Sequence, residues 1–231
     1  MLNRVPEVTL YFWIIKIMAT TVGETGADFL AFTMNFGLAG TSYIMSALLA
    51  VLLWNQFRLK RYVPVSYWAV VVLVSIVGTL ITDRLVDEMG VSLVSATLAF
   101  SIALLGLFAW WYVSEGTLAM HSIKTTKREL FYWAAILLTF ALGTAAGDLL
   151  AEGTGLGYAI SALLFGSVIA IIAVGYYRFE MNAVLTFWLA YVLTRPLGHL
   201  LAIYYLNQLK TAGLVSVRWE RLLLLQPQSL S

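Results

Sequence analysis

Long apolar runs alternate with short polar breaks along this chain. A helix needs about 20 mostly apolar residues to cross a bilayer core of roughly 30 Å. The runs predict seven spans, near residues 8–32, 38–57, 65–86, 91–113, 129–151, 156–177 and 183–207. They account for most of residues 1–231 and leave no room for a soluble domain, so we expect a single transmembrane domain.

The stretch that follows the seventh run is harder to interpret. Residues 213–216 begin like an eighth span, but Arg218, Glu220 and Arg221 interrupt it. Three interpretations of residues 211–231 remain open: a short eighth helix, an interfacial segment, or an extension foreign to the fold.

The composition points to the same class of protein. Apolar residues make up 61% of the chain and charged residues 11%, with a mean hydropathy of +0.87. A typical soluble domain carries about 25% charged residues, and a globule of this size cannot hide so much apolar surface. The predicted fold class is all-α: a polytopic transmembrane helix bundle of seven or eight helices.

Basic residues favour one end of the predicted spans. Lys and Arg in short loops mark the cytoplasmic side of a membrane protein. Eight of them fall on the side of the N-terminus, whereas only Arg84 and Lys210 precede the tail on the other side. This bias predicts a cytoplasmic N-terminus. The eight are Arg4, Arg58, Lys60, Arg61, Lys124, Lys127, Arg128 and Arg178.

An internal repeat underlies the spans. An aromatic–Trp doublet occurs four times, a glycine follows each Trp by ten positions, and an aspartate follows by fifteen in three copies. We therefore predict four parallel two-helix repeats, near 6–60, 61–124, 125–181 and 182–231, as two halves of two with the last one degenerate. The doublets are Phe12-Trp13, Tyr67-Trp68, Tyr132-Trp133 and Phe187-Trp188; the glycines are Gly23, Gly78, Gly143 and Gly198.

The recurring positions have structural interpretations. The glycines allow close helix packing, and the doublets form an interfacial aromatic belt together with Trp54, Trp110, Trp111, Tyr176 and Tyr177. Lys16 lies about one helical turn below that belt and is expected to snorkel to the cytoplasmic surface. Pro196 removes a helix hydrogen bond, which fits either a broken helix at a binding site or an ordinary kink.

The eleventh residue after each Trp lies about 16 Å along the helix, near the membrane midplane. This layer and Arg195, one turn away, give the predicted substrate-binding residues: Glu24, Thr79, Thr144, Arg195 and His199. A charge at this depth costs at least about 2.5–3.5 kcal/mol and usually faces a partner or a cavity. Glu24 and Arg195 could instead form a purely structural pair, and His199 either relays protons or packs through a hydrogen bond.

The fifteenth positions carry Asp28, Asp83 and Asp148, toward the non-cytoplasmic face, with Ile203 in the fourth repeat. We interpret the three carboxylates as an outer gate or cation-binding site, since carboxylate oxygens suit hard cations. The alternative is solvated carboxylates at helix ends. No particular metal is indicated.

Four segments of the chain carry a recognisable family pattern: Pro6–Trp13 with Lys16, Gly23–Asp28, Gly143–Asp148 and Thr194–Gly198. They resemble one bacterial family of uncharacterised membrane-anchored proteins, which are built from a repeated unit of unknown function. The resemblance extends over residues 5 to about 200, and the fourth repeat departs from the pattern after Gly198. It implies a multi-pass protein of the bacterial inner membrane and brings no activity with it.

These features favour a small transporter of a cation or small polar solute, with proton coupling through the carboxylates and His199. The alternative is a non-transporting membrane scaffold, assembly factor or sensor. We expect no enzyme and no cofactor, because the chain has no Cys and no catalytic or phosphate-binding motif. The expected partners are the lipid bilayer and the solute, without nucleic acid, and a homo-oligomer remains open.

Overall fold

Seven α-helices follow one another in the structure, a computed structural model that describes residues 3–34 and 36–211. Each helix overlaps a predicted span and differs from it by a few residues at the ends. An eighth span, if present, would lie in 212–231, outside the described residues. The helices are α1 (Leu10–Asp28), α2 (Gly37–Arg58), α3 (Pro64–Asp83), α4 (Leu93–Glu115), α5 (Thr126–Asp148), α6 (Tyr158–Phe179) and α7 (Ala183–Thr211).

The odd-numbered helices form a closed inner ring. Helix α1 packs against α3 and α7, and α5 packs against the same two helices. Helices α2, α4 and α6 lie outside and pack on α3, α5 and α7, respectively. In the most apolar stretches of α3, α5 and α7, 67%, 61% and 50% of residues are buried, against 22%, 11% and 17% in α2, α4 and α6. The repeats therefore place their first helices inside the bundle and their second helices on its outside.

The repeat glycines interlock this ring. A Cβ atom at any of the four glycines would lie closer than 3.0 Å to a side chain of the neighbouring inner helix. That side chain is always the residue seven positions after the Trp of the next repeat. Because the last contact joins α7 back to α1, the packing role predicted for the glycines is confirmed around the whole ring. The pairs are Gly23 with Ser75, Gly78 with Phe140, Gly143 with Arg195, and Gly198 with Thr20.

A π-helical turn follows each of the first three inner helices, which the sequence pattern did not predict. The turns cover Phe29–Thr33, Arg84–Glu88 and Leu149–Gly153. Each begins directly after a repeat aspartate, Asp28, Asp83 or Asp148. The three carboxylates therefore occupy equivalent points of the fold. Each lies beside a π-helical turn, a feature that is frequent at functional sites.

Six of the seven described helices are long and apolar enough to cross a membrane. The exception, α1, carries Lys16 and Glu24 on its buried face, together with Thr20. Its other face exposes Tyr11, Ile14, Met18 and further apolar side chains. The chain is thus an all-helical membrane-protein bundle, in which α1 turns a polar stripe to the inside.

Candidate functional site

Arg195 lies at the centre of the inner ring. Its Nη2 donates to Glu24 Oε2 on α1 at 2.9 Å, to Thr144 Oγ1 on α5 at 3.0 Å, and to Thr79 Oγ1 on α3. Thr79 also donates to Glu24 Oε2 at 3.0 Å. Side chains from all four inner helices therefore meet on the axis, as the shared depth of these positions predicted.

Local sequence makes room for the arginine. Its Cβ and Cγ pass over Gly143, where any larger residue would overlap them. Pro196 packs on the same glycine and on Gly147. Helix α7 continues through Pro196 to Thr211, so the idea of a helix broken at this point is wrong.

His199 lies one turn beyond Arg195, between two carboxylates. Its Nε2 is 2.6 Å from Asp148 Oδ1, and its Nδ1 is 3.0 Å from Glu24 Oε2. The second contact has ion-pair distance without hydrogen-bond geometry. Gly147 again provides the space, with the imidazole Cδ2 against it. His199 thus connects the buried pair to a carboxylate nearer the outer end.

Lys16 does not reach the surface of the bundle, so the prediction that its amine snorkels is wrong. The residue is 1% exposed. Its Nζ donates to the Tyr191 carbonyl at 3.0 Å and to Thr194 Oγ1 at 2.5 Å, and lies 4.1 Å from the centre of the Tyr191 ring. Its position on the inward stripe of α1, rather than its depth, decides where the amine lies. We call Lys16, Glu24, Thr79, Thr144, Asp148, Thr194, Arg195 and His199 the axial network.

The axial network is closed in this structure. The side chains of Arg195, His199 and Glu24 are 0%, 2% and 5% exposed, whereas Asp148 is 19% exposed. The network therefore runs from a buried amine near one end to a partly exposed carboxylate near the other.

The outer carboxylates lie near one another. Asp83 is within electrostatic reach of Glu24, Asp28, Asp148 and Asp87. Among residues 3–34 and 36–211, however, no group of three His, Asp or Glu side chains is arranged to hold a metal ion. The cluster thus brings several carboxyl groups together at this end without forming a metal site in this conformation.

A second buried polar cluster lies at the other end of the bundle and escaped the sequence reasoning. Arg4 Nη1 donates to Glu129 Oε2 at 2.7 Å, Gln56 donates to Glu129 Oε1 at 3.1 Å, and Ser66 donates to Gln56. From the sequence, Arg4 indicates only the orientation of the chain in the membrane. These contacts fix the N-terminal segment to α2 and α5.

The aromatic belt is only partly an interfacial feature. Trp54, Trp110 and Tyr177 are exposed, as interfacial anchors should be. Trp111, Trp133 and Trp188 are buried, and so is the residue before the Trp in each of the four doublets. The anchor interpretation is wrong for these residues. They form a packed cluster across the ring, with Tyr67 and Tyr132 hydroxyls 2.5 Å apart.

An open groove of about 500 Å³ lies between α6 and α7. Gly166, Ala170, Leu197 and Tyr204 are among its lining residues, and no member of the axial network lines it. Its lining consists mainly of small and apolar side chains. It is therefore separate from the candidate site.

The repeat pattern can be compared with known families. The family model for the repeat of unknown function DUF347 matches residues 11–62, 66–117 and 131–182. The chain belongs to this family. The three matched segments correspond to the first three repeats, and no curated protein or solved structure is significantly similar to the chain.

Proposed function

We propose that this DUF347 protein is a transporter that moves a cation or small polar solute across the bacterial inner membrane, linked to proton movement. The observation that carries the proposal is His199, which lies between Asp148 and Glu24 inside a membrane-protein bundle. Ionisable side chains within spans commonly mark solute paths and proton relays. The proposal includes a cytoplasmic N-terminus and neither enzymatic activity nor a cofactor.

The geometry supports proton exchange between Asp148 and the imidazole, and a small rotation of the ring would complete a relay by giving the Nδ1 contact with Glu24 hydrogen-bond geometry. Histidine gains and loses a proton near physiological pH, and its two nitrogens can serve two partners. Asp148 is the more exposed of the two carboxylates, so a proton would enter there, pass to His199 and reach Glu24. Protonation of Glu24 would weaken its attraction to Arg195, because the ion pair loses its negative partner.

Weakening that pair is the step that opens the ring. Arg195 connects α7 to α1, α3 and α5 through one nitrogen. Once Glu24 no longer holds the guanidinium, movement of Arg195 would free the Thr79 and Thr144 hydroxyls for a solute at the same depth. The closed arrangement then represents one of two alternating states whose populations the proton and the solute shift.

Proton uptake by proteoliposomes tests this function. A pH gradient is imposed on vesicles that contain purified protein and a pH-sensitive dye. Inorganic cations and small polar amines are then added one at a time. We expect one solute to accelerate proton movement, and Asp148→Asn and Glu24→Gln to reduce that rate at least tenfold. Glu88→Gln, a change in an exposed carboxylate paired with Arg84, is the matched control.

The second candidate function is a membrane scaffold, assembly factor or sensor. The fully buried Glu24–Arg195 pair favours it, since buried ion pairs also serve a unique helix arrangement. The transport proposal would be rejected if, with every solute, protons moved no faster than in protein-free vesicles. It would also be rejected if Asp148→Asn and Glu24→Gln both left the rate unchanged. Such a result combined with reduced stability of Glu24→Gln would support the scaffold.

A further inference from the structure

Two positive side chains lie close to one aromatic ring in the inner ring of helices. The Lys16 amine is 5.8 Å and the Arg195 guanidinium 5.0 Å from the centre of the Phe140 ring. The Tyr191 ring covers the same amine. We call Lys16, Phe140, Tyr191 and Arg195 the inner cationic cluster.

Several donors of this cluster have no acceptor. Arg195 Nε and Nη1 and the Tyr191 hydroxyl are buried and make no hydrogen bond with any described residue. Lys16 donates to two neutral oxygens, the Tyr191 carbonyl and the Thr194 hydroxyl. Buried polar groups without partners cost about 1–3 kcal/mol each, and more when they are charged, so their presence indicates a missing acceptor.

The charges of the cluster do not balance either. Arg195 pairs with Glu24, which His199 also approaches. No ion pair within residues 3–34 and 36–211 includes Lys16. One negative charge near Lys16 and Arg195 would neutralise the excess and accept hydrogen bonds from some of the unused donors.

We propose that the inner cationic cluster binds a compact monovalent anion, with chloride as the representative, between Lys16 and Arg195. A small spherical anion has no preferred hydrogen-bond direction, so it can accept from the Lys16 amine, the Tyr191 hydroxyl and one of the two unused nitrogens of Arg195. Lys16, Tyr191 and Arg195 are all buried, so a bulky anion would not fit. This site goes beyond the proposed function, because binding there does not depend on movement of any solute.

The full-length protein in detergent tests the proposal through its thermal unfolding midpoint. At constant ionic strength and pH, sodium gluconate is replaced stepwise by sodium chloride. A ligand that binds only the folded state raises the midpoint with its concentration. We expect a saturable rise of several degrees, a similar rise with bromide, and none with sulfate.

Variants separate this site from general salt effects. Lys16→Met removes the charge and keeps the length of the side chain, so we expect it to abolish the chloride-dependent rise. Lys60→Met, at an exposed position, should retain the full rise. Tyr191→Phe removes one unpaired donor and should shift the chloride titration to several-fold higher concentration, which provides a readout if Lys16→Met does not fold.

Equal midpoints in chloride and gluconate, or the same chloride response in the Tyr191→Phe and Lys16→Met variants as in the unmodified protein, would overturn the proposal. The unpaired donors would then be satisfied by water. A chloride response without solute-driven proton movement would leave the anion site standing and reject transport, so the two proposals fail separately.

Discussion

Arg195 connects α7 to the three other inner helices through a single nitrogen. Its partners Glu24, Thr79 and Thr144 come from three repeats, and Gly143 allows its stem to reach them. A buried ion pair adds little net stability compared with apolar residues, but the loss of one partner is costly because the other charge stays buried. The pair is therefore the most sensitive place to change a single residue.

Glu24→Gln should destabilise the protein by about 3–5 kcal/mol, the range for breaking a buried pair from one side. The change leaves the Arg195 charge without a carboxylate on Nη2. Chemical or thermal unfolding in detergent measures the loss.

Glu88→Gln is the control for this substitution. Its exposed pair with Arg84 should contribute less than about 1 kcal/mol. The double variant Glu24→Gln with Arg195→Met removes both charges and should recover part of the lost stability. Equal stability of Glu24→Gln and the unmodified protein would contradict the central role of the pair.

For single residues, the sequence pattern predicted the depth of a side chain in the bundle better than the direction in which it points. Glu24 and Arg195 share a depth and do meet, and His199 lies beside them. Lys16 was placed at the surface, because its distance from the helix end allowed snorkelling. Which way its amine points depends on Tyr191 and Thr194 of another helix, about which the α1 sequence contains no information.

At the scale of the helices, the repeat glycines decide how closely the inner helices approach. Each one receives a side chain of the next repeat. Overpacking a tight contact costs about 1–3 kcal/mol. The contact at Gly143 involves the Cβ and Cγ of Arg195, which cannot move without disturbing the central ion pair.

Gly143→Ala is expected to lower the free energy of unfolding by about 1–3 kcal/mol. Gly106→Ala is the matched control: it lies inside α4, and no atom beyond its chain neighbours and its own helix backbone lies within 4 Å of the added carbon. Alanine favours the helix over glycine by up to about 1 kcal/mol, so the control should be neutral or slightly stabilising. Unfolding of both variants in detergent checks the difference, and equal effects would argue against the interlock.

Helix existence was predictable here, and helix ends were less so. Seven apolar runs became seven helices because the bilayer sets their length. The π-turns after Asp28, Asp83 and Asp148 left no separate signal, since their residues continue the helical pattern. The buried tryptophans were also missed, because an aromatic residue near the end of a span fits an interfacial site and a packed cluster equally well.

At the scale of the whole molecule, the described residues form a ring of four inner helices around the axial network, with three helices packed on its outside. The basic bias of the loops predicts one orientation in the membrane. The chain contains no cysteine, so single introduced cysteines report their side of the membrane without background.

Met89→Cys lies in an exposed position between α3 and α4, and Lys124→Cys in an exposed position between α4 and α5. With a cytoplasmic N-terminus, a membrane-impermeant maleimide should label the first in intact cells and the second only after the cells are opened. The opposite labelling pattern would invert the orientation and, with it, the side from which Asp148 is reached.

The sequence by itself determined that this is a helical membrane protein with parallel repeats, and which residues share each layer. Hydropathy and helical periodicity are local properties of the chain, so they can be read without knowledge of any neighbour. Only the tertiary structure decided that the ring closes, that Lys16 turns inward, that half the aromatic belt is buried, and that His199 bridges Asp148 and Glu24. Those outcomes depend on which helix faces meet, and contacts between residues as distant as Lys16 and Thr194 are settled by packing across the whole bundle.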